Sequence, residues 1–441
     1  MPAIHRRQVL QLGSVAALGL GLPDLLKADS ARTGRRAKSC IFIYQYGGLS
    51  QLDSWDPKPN SPAETRGPYK SIATSVPGFR VGELMPELAK RADKYAVIRT
   101  LTHGVPVHDV ANTMLLAGRV SPATDDPAFG SVIAKLKPTA DIPPYFWLQK
   151  FGGGAMPPEH RYTTGGFLGP AHAPVMIGSG HTDNFATPGY RVSAFDGDAT
   201  VSPDRLKLRR ELLNELDPAP DRFRSKAFDL LSGSAARNAV DLDRESPTLR
   251  DRYGRNPLGQ NLILARRLIE AGVRLVSVVA WCGMKSTEKF ASIETWDMHG
   301  NAGVSIFGDG WNGLGFALPR CDIAVSMLLD DLEDRGLLDT TLVVLVGEFG
   351  RTPRISQGAG AVGRDHWPRC YSGMIAGAGI RGGNVYGTSD KQAAYVQDKP
   401  VTLEDFTATL YRALDIPAET RLSQDGFTRP ASTGTAIADL F

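Results

Sequence analysis

Cysteine is scarce in this chain. Its four residues, Cys40, Cys282, Cys321 and Cys370, show no CxxC spacing, which excludes a zinc finger and a thioredoxin-like redox pair. An excess of either charge is missing too. The formal net charge is +3, so the balance gives no case for nucleic acid or an acidic membrane surface as partner. There is no GxSxG nucleophile elbow, no GxxxxGKS/T phosphate loop and no HExxH zinc helix. Beyond residues 1–28, no apolar run is long enough to span a bilayer.

What is abundant is glycine and proline, 47 and 30 residues, beside an ordinary hydrophobic share of 42%. That combination points to long ordered loops rather than disorder. The chain opens with His5-Arg6-Arg7-Gln8-Val9-Leu10, a twin-arginine pattern, and a glycine-interrupted apolar stretch to Leu26. Residues 1–28 therefore read as a twin-arginine signal, residues 29–37 as a linker and residues 38–441 as one domain. The expectation is export by the twin-arginine machinery to the periplasm or outside the cell, with no integral span after signal removal. Removing the signal lowers the formal charge to about +1. Four cysteines allow three disulfide pairings in an oxidising compartment, and the simpler reading is buried free thiols.

Secondary structure signals recur in one order. Ser39–Tyr46, Tyr95–Arg99, Pro144–Lys150, Pro174–Ile177, Val273–Ala280 and residues 341–346 read as strands. Leu84–Lys94, Val110–Leu116 (with Gly118 as C-cap), Pro257–Ala271, Ile323–Arg335 and Leu403–Leu414 (capped by Thr402) read as helices. Ser202-Pro203 opens another helical stretch to about Ala239. Helix, glycine stop and β-branched strand, twice over, predict an α/β fold: a mostly parallel sheet with helices on both faces.

The chemistry collects after the strand in Leu338–Pro368. There Glu348, Arg351, Arg364, Asp365 and His366 follow within a short loop, at the strand end where open α/β sheets bind ligands. Asp297 and His299 form a second acid–imidazole pair. Such pairs suit a divalent metal, and zinc, manganese and calcium are all open. Loop bracing explains each pair singly as well. Arg351 and Arg364 carry guanidinium forks that match a sulfate, phosphate or carboxylate, unless they are spent in salt bridges to Glu348 or Asp365. His103 and His108 stand ahead of a predicted helix.

IFIYQYGGLSQLDSWDPKP, ETWDMHGN, LLDTTLVVLVGEFGRTPRI and GRDHWP, behind a twin-arginine start, together resemble the domain-of-unknown-function family 1501. The resemblance implies an exported, sulfatase-like protein of alkaline phosphatase-like fold, hydrolysing a sulfate or phosphate ester at a metal site. His108 stands where such enzymes carry their Ser, Thr or Cys nucleophile. Glu348 stands at a ligand Asp, and Phe349 replaces a metal-binding His. The resemblance makes Asp297, His299, His366 and Glu348 metal ligands and gives His108 and Glu348 catalytic roles. Arg351, Arg364 and Gln45 receive the anionic small molecule. One metal site reads as preserved and a second as eroded. The competing expectation is a non-catalytic exported binding or assembly protein that keeps the fold and an anion pocket.

Overall fold

Ser39–Tyr44 (β1) is buried at every position, as a strand covered on both faces must be. It lies in an eight-stranded sheet with Tyr95–Leu101 (β2), Tyr145–Lys150 (β3), Val175–Ser179 (β4), Leu275–Val279 (β5), Thr341–Val346 (β6), Tyr371–Ala376 (β7) and Val385–Tyr386 (β8). The spatial order is β8-β2-β7-β6-β1-β5-β3-β4. β7 pairs antiparallel with both neighbours and every other pair is parallel. The computed structural model describes residues 36–140, 142–150, 164–179, 181–192, 202–216, 234–290, 292–300, 303–357, 360–423 and 428–441. The expected signal, nearly all of the linker, His160 and the middle of the 202–239 stretch lie outside the described residues.

Alternation along β1 divides the interior into two cores. Ile41 and Ile43 face one, with Pro257–Glu270 and Leu314–Asp334. Cys40, Phe42 and Tyr44 face the other, with His108–Ala117, Phe129–Leu136 and Leu403–Ala413. In chain order these helices are α1 (His108–Ala117), α2 (Phe129–Leu136), α3 (Pro257–Glu270), α4 (Leu314–Asp334) and α5 (Leu403–Ala413). The period-two pattern of the strands thus dictates helices on both faces. The sheet is mixed and mostly parallel, as the sequence predicts.

Local signals hold at several ends. Gly118 closes α1 in the left-handed region at φ 64°, where glycine carries no Cβ penalty. Thr402 and Asp405 form a capping box on α5. Two elements differ from expectation. α4 begins at Leu314 and contains Pro319; a proline this near the start removes one backbone bond without ending the helix. The expected helix from Leu84 shortens to Pro86–Lys90. Asp322 of α4 caps it from a distance, accepting from the Glu87 and Leu88 amides at 2.8 and 2.7 Å. All four cysteines are buried and free, and burial pushes the Cys282 and Cys370 thiols up to about 12. Among the described residues, no helix is long and apolar enough to cross a membrane.

Candidate metal centre

β1 and β6 lie side by side and release their chains at the same edge. Gly47 and Gly48 follow β1; Glu348 follows β6 after one glycine. Gly47 sits at φ +106°, and a Cβ there would lie 2.2 Å from the Asp297 amide nitrogen. Only glycine lets the loop carrying Asp297 and His299 press against the exit of β1. A short antiparallel ribbon, Gly350–Arg351 with His366–Trp367, sets Arg351 opposite His366. His108 enters from a third direction, as the first residue of α1.

These loops bring four donors together. One ligand atom each from His108, Asp297, His299 and His366 lies within 4.8 Å of every other. Asp297 Oδ1 is 3.2 Å from His108 Nε2, 2.9 Å from His299 Nε2 and 3.0 Å from His366 Nε2. The other nitrogen of each ring has its own acceptor. His108 Nδ1 meets Glu348 Oε1 at 2.7 Å, His299 Nδ1 meets Asp365 Oδ1 at 2.9 Å, and His366 Nδ1 meets the Pro106 carbonyl at 2.8 Å. A carbonyl or carboxylate oxygen only accepts, so each Nδ1 carries a proton, and a ring that is neutral then turns its Nε2 lone pair inward. The Nε2 atoms of His299 and His366 stand 2.8 Å apart. Buried His108 Nε2 has no hydrogen-bond partner, because Asp297 Oδ1 lies off its line.

With the three rings neutral, their lone pairs and the carboxylate repel one another unless a cation, metal ion or proton, lies among them. That donor set fits a divalent metal, with the acceptors behind each ring fixing its tautomer as metal-bound histidines require. Burial would raise the Asp297 carboxyl, but Arg351 at 2.7 Å and the three imidazoles hold it well below the usual range. Burial likewise opposes a charge on His108, yet Asp297 and Glu348 push it up to about 9. Burial dominates at His366 and lowers it.

The expected site residues fall into two groups. Asp297, His299 and His366 converge, and His108 joins them as a fourth donor rather than standing apart as an attacking group. Glu348 does not converge. It takes the Nδ1 side of His108, across the ring from the cluster, and also accepts from the Gly47 amide (2.9 Å) and the Tyr44 hydroxyl (3.2 Å). A carboxylate behind a ring cannot also reach an ion in front of it. Arg351 and Arg364 are fully buried. Arg351 gives its donors to Gly47, Gly48 and Arg364 carbonyls and to Asp297. Arg364 gives its own to Asp53 at 2.9 Å and to the Thr65, Thr352 and Pro353 carbonyls. Arg364 has no donor left for an arriving anion, and Arg351 keeps one N–H on a wholly buried side chain. Gln45 is completely buried, out of reach of a ligand from solvent.

A family model described as a protein of unknown function, DUF1501, matches residues 37–441. The chain belongs to the DUF1501 family. Among curated proteins, none matches. Solved structures give loose likenesses. One is the PsFucS1 sulfatase from Pseudoalteromonas sp., at 13% identity and TM-score 0.39, over 99% of this chain and 76% of that one. Another is the phosphonate monoester hydrolase SpPMH from Silicibacter pomeroyi, at 13% and 0.37, over 92% and 78%. A third is the alkaline phosphatase from the Antarctic bacterium TAB5, at 11% and 0.35, over 86% and 98%. Likenesses at these scores carry no activity across to the DUF1501 chain.

Two features of this centre escape a reading of the sequence. The carboxylate of Asp365 serves His299 rather than its own neighbour His366, and Phe349 packs its ring on His366 and His108, with centroids 4.3 and 5.0 Å away. His103, which the sequence groups with His108, instead holds the Glu348 carbonyl through Nε2 at 2.6 Å. The side chains of Asp297, His299 and His366 remain 22%, 17% and 17% exposed, against 0% for Glu348. The cluster therefore has a wet side and a dry floor.

Proposed function

We propose that this DUF1501 chain is an exported metal-dependent hydrolase of a sulfate or phosphate ester, with an atypical site built on one divalent ion. The observation that carries the reading is the fixed inward aim of three imidazole lone pairs around Asp297. His108, Asp297, His299 and His366 would hold the ion. When bound, it would polarise an ester oxygen or activate a water. The chain's own residues orient the donors: Glu348, Asp365 and the Pro106 carbonyl each keep a proton on Nδ1. Phe349 excludes water from the inner side of His108 and His366, and the exposed edges of His299, His366 and Asp297 leave an approach for substrate. Export rests on Arg6-Arg7 and the apolar stretch that follows.

The test is elemental analysis of the purified chain beside His366→Ala. The expected result is about one zinc, manganese or calcium ion per chain, lost in the variant, with chelator-sensitive turnover of sulfate or phosphate esters. Absence of metal from both proteins, with folding unchanged, would sink the reading.

A second reading has its own support. Both arginines are buried and largely engaged, and none of the four converging residues offers a hydroxyl or thiol to attack an ester. This favours a non-catalytic binding or assembly protein with the metal as a clasp. Stoichiometric metal without turnover, together with binding of a sulfated or phosphorylated ligand, would select it.

A further inference from the structure

Resting on the metal reading above, we infer that His108 closes the centre as a fourth protein ligand. Glu348 is the positioning residue that fits the site to a nitrogen-preferring ion of the zinc class rather than to calcium or magnesium.

The donor chemistry decides the class. Three of the four convergent atoms are imidazole nitrogens and one is a carboxylate oxygen. Calcium collects six to eight oxygens, and magnesium keeps an octahedron of oxygens and water. Imidazole suits zinc and its d-block neighbours. The nearby carboxylates that an oxygen-seeking ion would need are turned away: Glu348 lies behind His108 and Asp365 behind His299. The one inward oxygen, Asp297 Oδ1, already shares its charge with Arg351 at 2.7 Å. Four protein donors in one small volume is also the pattern of a closed zinc site, which an ester oxygen or water could enter only as a fifth ligand.

The placement of His108 makes Glu348 decisive. His108 is 7% exposed and Glu348 0%, so neither can turn to water. The Gly47 amide and the Tyr44 hydroxyl pin the carboxylate, and the carboxylate pins His108 Nδ1. Phe349, with its centroid 5.0 Å from the His108 ring, closes the other side. Without Glu348, the Nδ1 proton has no acceptor and nothing selects the tautomer that points a lone pair at the ion. Asp365 has the same role for His299, but its side chain is 61% exposed, where water can substitute for it. The burial of Glu348 is what makes it the stronger of the two.

The experiment loads the purified chain with zinc, cobalt(II), calcium or magnesium and measures affinity by chelator competition. The visible spectrum of the cobalt form reports coordination. The expected result is tight zinc and cobalt binding, an intense four-coordinate cobalt spectrum, and no displacement by a large excess of calcium. His108→Ala should still bind cobalt, with the weak spectrum of a higher-coordinate, water-ligated ion. Glu348→Ala should raise the zinc dissociation constant about 10- to 100-fold, and Glu348→Gln, which keeps an acceptor oxygen, should raise it less. Thermal melts of each metal-free variant separate lost affinity from lost folding. If Glu348→Ala fails to fold, Glu348→Gln and His108→Ala carry the test. Equal affinity for calcium, or a cobalt spectrum unchanged in His108→Ala, overturns the inference. Ester turnover supported by calcium would overturn it while leaving the hydrolase reading standing. Tight zinc without turnover would do the reverse.

Discussion

Two aspartates, each paired with a buried arginine, sit in this fold to different ends. Asp53 and Arg364 meet at 2.9 Å with both side chains wholly buried. The Ser50 hydroxyl donates to the same carboxylate at 2.5 Å, so that centre is electrically complete. Asp297 and Arg351 meet at 2.7 Å, but three imidazole nitrogens also crowd the Asp297 oxygen and its side chain reaches solvent. The ion pair is common to both. What separates the second from a brace is the crowding of three imidazole nitrogens on one partly exposed carboxylate oxygen. A third carboxylate, that of buried Asp322, has only backbone amides for company and shows what burial does without a cation in contact.

Breaking the closed pair should have the largest effect. Arg364→Met leaves Asp53 buried without its partner, and a loss of about 3–5 kcal/mol of unfolding free energy is expected in urea titration. A variant as stable as the parent would mean that Asp53 and Arg364 do not form the brace described here.

Next comes the open centre. Chelator should lower the unfolding free energy of the zinc-loaded chain by about 2.7 kcal/mol when free zinc stands at 100 times its dissociation constant. The same chelator should leave His366→Ala unmoved. Equal shifts in both proteins would place the stabilising ion elsewhere.

A smaller effect is expected where the support is wet. Asp365→Ala should weaken zinc binding by about tenfold, or about 1.4 kcal/mol, less than the loss expected for Glu348→Ala. The reverse ranking would break the argument from burial.

The last effect is a gradual slope with pH and belongs to Asp322. Burial pushes its pKa up to about 6, above the unfolded value of about 3.9. Between those values the native state holds more protons than the unfolded chain, so stability falls as pH rises through the window. The slope from this group is at most about 1.4 kcal/mol per pH unit, and Asp322→Asn should remove it. An unchanged slope between about pH 4 and 6 would assign the titration to another group.

Much of the frame was legible beforehand. The apolar runs of β1, β5 and β6, the glycine stops and the Thr402 cap are local signals, and local hydrogen bonds and side-chain periodicity are enough to set them. The family resemblance put Asp297, His299 and His366 forward together, and the folded chain brings them to one place. The folded chain turns Glu348 away from the cluster and buries Arg351, Arg364 and Gln45, and neither the direction of a side chain nor the depth of its burial is written in sequence distance. β7 escaped as well: YSGMIA is one short apolar run among several, and what makes it a strand is pairing with β2 and β6 on either side.

The sequence by itself determined most of the elements and the mostly parallel sheet, since these follow from local pattern. Only the tertiary structure decided which face of each imidazole looks inward. That choice depends on acceptors 240 residues away for His108 and 260 for His366. A ring's tautomer is set by whatever lies behind it, and the folded chain alone puts Glu348, Asp365 and the Pro106 carbonyl there.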